Sequence, residues 1–439
     1  MKERGKIKRQ ALRTATGLAV VVMLAIALGA AHSVMATRKL RAVRSRLRET
    51  GVPLSWPELY ARHPDVEARL DAQPAFFAAL DSLTNLPYLT EDTGKHLPIE
   101  GFAGRPDIES PASPEMISAL EARLRVAEPS VTAIREAVFN EPFWLVPQQP
   151  PFSPPEYWRW PAIRQAARLF TMSAILHSER REHEAAAQAV VDGLLLAQVP
   201  ARGSILMDEL VRLACEGLAL YSLEYVLAKT RPSERSLREI VQLMEFHRDM
   251  RGGLLGEIVQ MRKMYEGLTP SDIRSILEWN EAKPWHFFMA KLPDWCGWVR
   301  MNEAYHIELL HEVVTVWPLP WPEFTRRYAQ ASAGIPRPYV LAAIHNEGWA
   351  TVKNRELRGV GAWRCGSAAV AIKLYSREHG RLPTALDELV PDYLDSVPRE
   401  PFYGHPLEYK QNGQQGTLSF SYPDSDAGFT FTVFLRRIQ

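Results

Sequence analysis

The sequence has few cysteines, and the three that it has, Cys215, Cys296 and Cys365, lie far apart with no CxxC pair among them. A disulfide framework of the kind that holds small secreted domains together is therefore excluded, although a single bridge is not. The chain also lacks an excess of charge, because its formal net charge is +1 and basic residues concentrate only near the N-terminus. The body of the protein thus lacks the cluster of lysine and arginine residues that nucleic-acid binding requires.

Local catalytic motifs are also missing. The sequence contains no GxSxG nucleophile elbow, no Walker phosphate loop, no GxGxxG turn and no HExxH zinc motif. Cys296 has no second cysteine beside it, which excludes dithiol exchange. We therefore predict no catalytic residue from local sequence, while an active site assembled from scattered residues stays open.

Charged side chains are absent from residues 14 to 37, and this absence predicts a transmembrane helix. Twenty-four helical residues span roughly 36 Å, which is enough to cross a hydrocarbon core of about 30 Å. Residues 1 to 13 form a basic tail before this segment. The basic residues on its two sides are Lys2, Arg4, Lys6, Lys8, Arg9 and Arg13, then Arg38, Lys39, Arg41, Arg44, Arg46 and Arg48. The lipid bilayer is thus the first predicted partner.

A cleaved signal peptide is the alternative interpretation, since Val34 and Ala36 would suit cleavage after Ala36. The uncharged stretch, however, exceeds the roughly 7 to 15 apolar residues of a signal peptide. Lysine and arginine are equally numerous on both sides, so the positive-inside rule does not decide the orientation. A short basic tail stays in the cytoplasm more easily than it crosses. We expect a single-pass protein with its N-terminus inside and its C-terminal domain outside the cytoplasm.

The rest of the chain predicts a mainly α fold in three segments. Residues 38 to 161 hold a juxtamembrane helix and an irregular, proline-rich region with short helical patches. Residues 162 to 350 show helical periodicity broken by turns, which predicts antiparallel helical hairpins. One helix places Leu206, Leu210, Leu213 and Leu220 on its apolar face, with Asp208 and Arg212 on another face as a solvated pair. Residues 351 to 439 predict a small α+β module.

Residues 173 to 198 resemble a tetratricopeptide (TPR) repeat unit. The resemblance rests on a helix, a turn around Arg180 to Glu182, and a second helix with Ala186, Val190 and Gly193 at its contact positions. No regular period of 34 residues continues into the neighbouring helices. Arrays of such hairpins usually bind other proteins on a concave face, so the resemblance implies a protein partner, whose identity it leaves open.

The C-terminal module has the clearest pattern. A helix from Trp363 to His379 is stopped by Gly380, and Thr384 with Asp387 fits a capping box. Three antiparallel strands follow at 407–410, 417–422 and 429–435, the first two joined by a turn at Asn412 and Gly413.

This pattern resembles the head of type II secretion pseudopilins, and also a set of bacterial single-pass membrane proteins, over about 50 residues. The shared positions are Gly380, Arg381, Pro383, Leu386, Leu389, Pro401, Phe402, Gly404, Pro406 and Tyr409. The resemblance implies a common helix, loop and sheet module at the inner (cytoplasmic) membrane. The chain lacks the phenylalanine and glutamate that pseudopilins carry at the start of their membrane helix.

Pseudopilin heads often hold calcium near their C-terminal strands, and the matching candidates here are Asp424 and Asp426. Calcium takes six to eight oxygen ligands, and two carboxylates supply few of them. A tight turn between strands also favours Asp and Gly. We therefore predict no cofactor, with calcium as the alternative.

Two further sets of residues are candidates for a site. Glu303 with His306, and Glu308 with His311, have the ExxH spacing of metal-binding helical bundles. The two pairs lie about 140° apart on one helix, so they cannot share a metal, and we expect solvated or capping roles. Six tryptophans between residues 279 and 321 predict a core layer. The alternatives are a membrane-facing patch and a cleft for a carbohydrate or apolar ligand, both of which need exposed rings. The surface candidates are Trp285, Trp295, Trp298, Trp317 and Trp321.

The sequence predicts a membrane-anchored interaction or scaffold protein outside the cytoplasm. Two alternatives remain open: an extracytoplasmic hydrolase with a site in the helical domain, and a component associated with a secretion apparatus.

Overall fold

The computed structural model describes residues 2–62, 66–101, 103–140, 159–200, 205–245, 249–279, 296–336, 339, 341–342, 348–423 and 427–435. The chain divides into two compact units, which we describe separately. Unit 1 comprises Met1–Leu59, Glu257–Pro318 and Thr325–Ala350, and unit 2 comprises Tyr60–Gly256, Leu319–Phe324 and Thr351–Gln439.

The described structure is mainly helical, as predicted, with an apolar helix at the N-terminus and one three-stranded antiparallel sheet near the C-terminus. The helices are α1 Lys2–Glu49, α2 Trp56–Tyr60, α3 Val66–Thr84, α4 Glu91–Gly94, α5 Pro114–Asn140, α6 Arg159–Glu179, α7 His183–Ala197, α8 Leu206–Lys229, α9 Glu234–Glu245, α10 Arg251–Gly267, α11 Pro270–Trp279, α12 Trp298–Val316, α13 Trp321–Ala333 and α14 Trp349–His379. The strands are β1 Glu408–Asn412, β2 Gln415–Ser421 and β3 Gly428–Phe434.

In unit 1, α1 continues without a break from the apolar segment into the basic segment. Its side chains between Ala15 and Ala31 are almost all exposed, and it is the one described helix long and apolar enough to cross a membrane. Beyond His32 the helix packs against α12 and buries Ala36, Leu40, Val43 and Leu47. These four follow steps of four, three and four residues, so they form one apolar stripe along the helix.

In unit 2, helices α6, α7 and α8 pack against one another. The predicted hairpin is confirmed, since α6 ends at Glu179 and α7 begins at His183. Arg181 in the turn has a φ of 64°, a left-handed conformation that favours glycine. One apolar cluster joins α3, α5 and α6 to α8, and another joins α7, α8 and α9 to α14 and the sheet.

The region expected to be irregular contains two long helices, α3 and α5. Each carries a proline in its interior, Pro74 in α3 and Pro129 in α5. Proline normally ends a helix because it removes one hydrogen-bond donor. Here the helices continue through these prolines while burying apolar residues such as Phe76 and Leu120, and tertiary packing outweighs the local preference.

The C-terminal module of unit 2 follows the prediction closely. Helix α14 ends at His379, and Gly380 follows with a φ of 67°. The sheet has the order β1-β2-β3, and Asn412 faces Gln415 across a turn that contains Gly413. The predicted capping partner Asp387 is wrong: the backbone N–H and the hydroxyl of Thr384 both donate to the Glu388 carboxylate.

We expect Arg181→Gly to stabilise the hairpin of α6 and α7 by roughly 1 kcal/mol, because the left-handed backbone strains any residue with a Cβ. The measurement is urea unfolding of the full chain in detergent micelles. Arg181→Ala is the control, since it removes the same exposed side chain but keeps the strain. Equal stability of the two variants would contradict this explanation.

Candidate functional site

The contact between α1 and α12 in unit 1 is held by ion pairs, and we call it the anchor clamp. Arg44 of α1 pairs with the buried carboxylate of Glu303. Lys39 and Arg46 both reach Glu308, at 2.7 and 3.2 Å. The charges of Lys39, Arg44 and Arg46, which follow the apolar stretch of α1, are thus partly neutralised by carboxylates of α12. Their side chains fix the rotation of α1 about its own axis.

The clamp extends to the point where α1 leaves its exposed stretch. Arg300 donates to the hydroxyls of Thr37 and Ser33, at 2.8 and 3.0 Å. The ring of His32 lies between the carbonyl oxygen of Cys296, 2.5 Å from Nδ1, and the hydroxyl of Tyr339, 2.9 Å from Nε2. Polar contacts therefore begin within one turn of the last fully exposed apolar residues.

The expectation that Glu303 and His306 are solvated is wrong, because both side chains are buried. Glu303 pairs with Arg44, and the Nδ1 atom of His306 lies 3.3 Å from the hydroxyl of Tyr265. Burial raises the pKa of Glu303, and the hydrogen bond from Arg44 opposes that rise. The buried contacts of Glu303 and His306 could not be predicted from local sequence, because their partners lie about 260 and 41 residues away.

The second ExxH pair is more exposed. Glu308 accepts from the two cations of α1, and the ring of His311 lies 3.4 Å from the Thr50 hydroxyl. Among the residues that the structure describes, no group of three or more His, Cys, Asp or Glu side chains could hold a metal ion. The calcium candidates Asp424 and Asp426 lie outside the described residues.

Three of the tryptophan candidates, Trp298, Trp317 and Trp321, lie in the described part of the chain and are packed against other residues. Trp298 and Trp317 are buried in unit 1, as in the core interpretation. Trp321, in unit 2, is partly buried and packs against the rings of Phe324 and Phe402. Trp285 and Trp295 lie outside the described residues. The three cysteines are free and buried.

The expected solvated pair of Asp208 and Arg212 is also wrong. Both residues are buried, and the Arg212 guanidinium bonds Glu209 at 2.6 Å and Glu216 at 2.5 Å. Burial raises the pKa of Glu209 to about 7, and the charge of Arg212 opposes this rise. The periodicity of the leucines drew attention to a different face of α8, and the charged face is the one that the fold covers.

A second pair of buried charges lies on α14. Lys353 donates to Glu356 at 2.8 Å, and the other oxygen of Glu356 accepts the backbone N–H of Met250. Lys353 and Glu356, like Arg212, therefore find their polar partners within the protein. The ion pairs lie within single helices and keep their buried charges balanced, because separating the partners would leave those charges unpaired.

Unit 2 also contains a cavity of about 320 Å³, which we call the cationic cavity. It lies where the C-terminal ends of α8 and α14 meet the start of α9 and the end of β3. Its lining is Thr230, Arg231, Pro232, Leu237, Lys373, Ser376, Arg377, Gly380 and Leu435. Among the residues that the structure describes, this lining contains three basic residues and no acidic one. No local motif in the sequence marks it, because the residues come from three separate parts of the chain.

Lys373 is the unusual member of this cavity. Its side chain is buried, and its amine donates to the Phe434 carbonyl oxygen at 2.5 Å. Burial, together with the nearby charges of Arg231 and Arg377, lowers the pKa of Lys373 to about 8. A buried lysine beside two arginines is the opposite of the usual paired arrangement.

No protein-family model matches the chain, and no curated protein and no solved structure matches it at a significant level. Functional inference therefore depends on the geometry described above.

We expect the Arg44 and Glu303 side chains to be coupled by about 1 to 3 kcal/mol, because Glu303 is buried and Arg44 is its ion-pair partner. A double-mutant cycle of Arg44→Met and Glu303→Met, measured by urea unfolding in detergent micelles, tests this. The matched control is the cycle of Arg46→Met and Glu308→Met, whose more exposed partners should couple by less than about 1 kcal/mol. Equal coupling in the two cycles would refute the distinction.

The Lys373→Met variant should be more stable than the parent at pH 7, and the gap should close by roughly 2 kcal/mol as the pH rises to 10. The reason is that the unfolded chain binds more protons than the folded chain between the folded pKa of about 8 and the ordinary lysine value near 10.4. The stability of the parent therefore rises through this range. Urea unfolding at a series of pH values measures the gap, and parallel curves for parent and variant would contradict the lowered pKa.

Proposed function

We propose that the protein is a single-pass, membrane-anchored interaction or scaffold protein whose folded body lies outside the cytoplasm. The observation that carries the proposal is the continuity of α1, which passes from an exposed apolar stretch directly into the anchor clamp. The stretch from Ala15 to Ala31 measures roughly 25 Å, close to the thickness of a hydrocarbon core. An apolar helix of this exposure is stable in lipid and unfavourable in water.

The anchor clamp supports a role in which the apolar helix holds the rest of unit 1 in a fixed position for binding a partner. A flexible linker would let the rest of unit 1 move freely around α1. Instead, hydrogen bonds of His32 and Ser33 begin within one turn of the apolar stretch, and ion pairs follow from Lys39 onward. A scaffold needs such a defined position, because a partner in or on the same membrane must meet the same surface each time. This positioning supports a binding role over a freely diffusing one.

The partner proposed here is a protein. The hairpin of α6 and α7 has the helix, turn and helix arrangement that led to the TPR resemblance, and helix stacks of this kind present extended binding surfaces. The sheet module resembles a pseudopilin head in its pattern of helix, loop and three strands. Association with a secretion apparatus follows from that resemblance and stands as the alternative partner class.

The orientation is tested by labelling with a membrane-impermeant maleimide. The native cysteines are all buried, so the parent should react little and serves as the control. We expect Tyr88→Cys, at a side chain that is 95% exposed, to be labelled in intact cells stripped of any outer envelope. Lys6→Cys in the basic tail should react only after the membrane is permeabilised. The reverse pattern would overturn the orientation, and recovery of the protein in the soluble fraction would overturn the anchor.

The partner is tested by cross-linking in native membranes followed by purification of the full chain. Reproducible capture of one protein that is lost on disrupting the α6 and α7 hairpin supports the scaffold role. Capture of secretion components would favour the alternative. A chain that yields no cross-linked species contradicts the interaction role.

A further inference from the structure

We propose that the cationic cavity of unit 2 binds a small, doubly charged oxyanion, for which a phosphate monoester is the simplest probe. The proposed function concerns the anchor and a protein partner, and this site would be an additional one. The inference is based on the charges, the free hydrogen-bond donors and the size of the cavity.

The charges in the cavity are unbalanced. Among the described residues, no carboxylate forms an ion pair with Arg231, Lys373 or Arg377. The charge of Arg377 acts on one described carboxylate, that of Glu184, which accepts its hydrogen bonds from Ser233 and Ser236. With Lys373 protonated, the three cations and this one carboxylate leave about two positive charges, which a dianion would neutralise.

Lys373 and Arg377 have more N–H donors than their hydrogen bonds to carbonyl oxygens use. The Lys373 amine uses one of its N–H bonds on the Phe434 carbonyl, and Arg377 uses one nitrogen on the Pro232 carbonyl. An ammonium has three donors and a guanidinium has five. The hydroxyls of Thr230 and Ser376 donate to carbonyls within their own helices, so they are left as acceptors. A bound oxyanion would therefore take its hydrogen bonds from the cations.

The size and the apolar part of the lining set the class of ligand. A volume of about 320 Å³ is near the lower end of the range for small-molecule pockets, roughly 300 to 1,000 Å³. Pro232, Leu237 and Leu435 line the same cavity and offer a surface for a hydrocarbon group. The cavity thus suits a charged head with a small apolar substituent.

Capping of carbonyls by itself does not explain Lys373. An exposed arginine or lysine could reach the Phe434 carbonyl at the end of β3 at little cost, whereas Lys373 is only 8% exposed and lies beside two like charges. Burying a cation without a counter-charge is unfavourable for the folded protein. Such unfavourable arrangements occur where binding requires them, because the ligand supplies the missing charge.

The test is isothermal titration of the purified full chain in zwitterionic detergent with phenyl phosphate. We expect saturable binding with one site per chain, weakened at least about ten-fold by Lys373→Met and by Arg377→Gln. Arg180→Gln is the matched control, since it removes one cation from the surface of the same unit without touching the cavity, and it should bind like the parent. Benzyl alcohol, which has the ring without the charge, should not bind. Melting curves of each variant confirm that it is folded.

The absence of saturable binding by the parent, or unchanged binding by both cavity variants, overturns the inference.

The source of the phosphate group is identified by repeating the titration in phosphatidylcholine nanodiscs with and without phosphatidic acid. Competition by phosphatidic acid identifies a lipid headgroup as the ligand, and its absence identifies a soluble compound. Either result supports the site. Neither depends on the protein partner, so failure here leaves the proposed function standing.

Discussion

The structure of unit 1 depends on the stripe of apolar residues and ion pairs along one side of α1. A helix that passes from a membrane into water needs a different surface on each side of the boundary. In lipid, apolar side chains can be exposed on every face of the helix, whereas in water the apolar face must be buried against the protein. Leu40, Val43 and Leu47 meet this requirement against α12, and the pairs of Arg44 and Lys39 select the rotation that brings them there.

Unit 2 shows two ways of handling a buried cation. Arg212 is enclosed by the carboxylates of Glu209 and Glu216, so its charge is balanced within the protein. Lys373 lies beside a cavity with only like charges around it. The first arrangement stabilises α8 itself, since Arg212 and both of its partners lie on that helix. The second leaves a charge unmatched, and this contrast directs attention to the cavity as a binding site.

Much of the fold followed from local patterns. The apolar helix, the hairpin at Arg181, the end of α14 at Gly380 and the three strands were predictable because their signals are local in sequence. Short helical patches were predicted inside α3 and α5, but the full length of these helices was missed because their prolines suggested breaks that tertiary packing overrode. The face of α8 was misassigned because leucine periodicity cannot reveal that charged side chains will find buried partners.

The sequence by itself determined that the protein has one apolar segment able to span a membrane, a mainly helical body and a small antiparallel sheet. These features follow from periodicity and composition over short windows. Only the tertiary structure decided that Glu303 and Arg212 are buried and that Lys373, Arg231 and Arg377 line one cavity. The physical reason is that Arg44 and Glu303, like Arg231 and Lys373, come from segments more than a hundred residues apart, and no local pattern encodes which segments meet. The partners of Arg212 lie on its own helix, but its burial depends on how the other helices pack over α8.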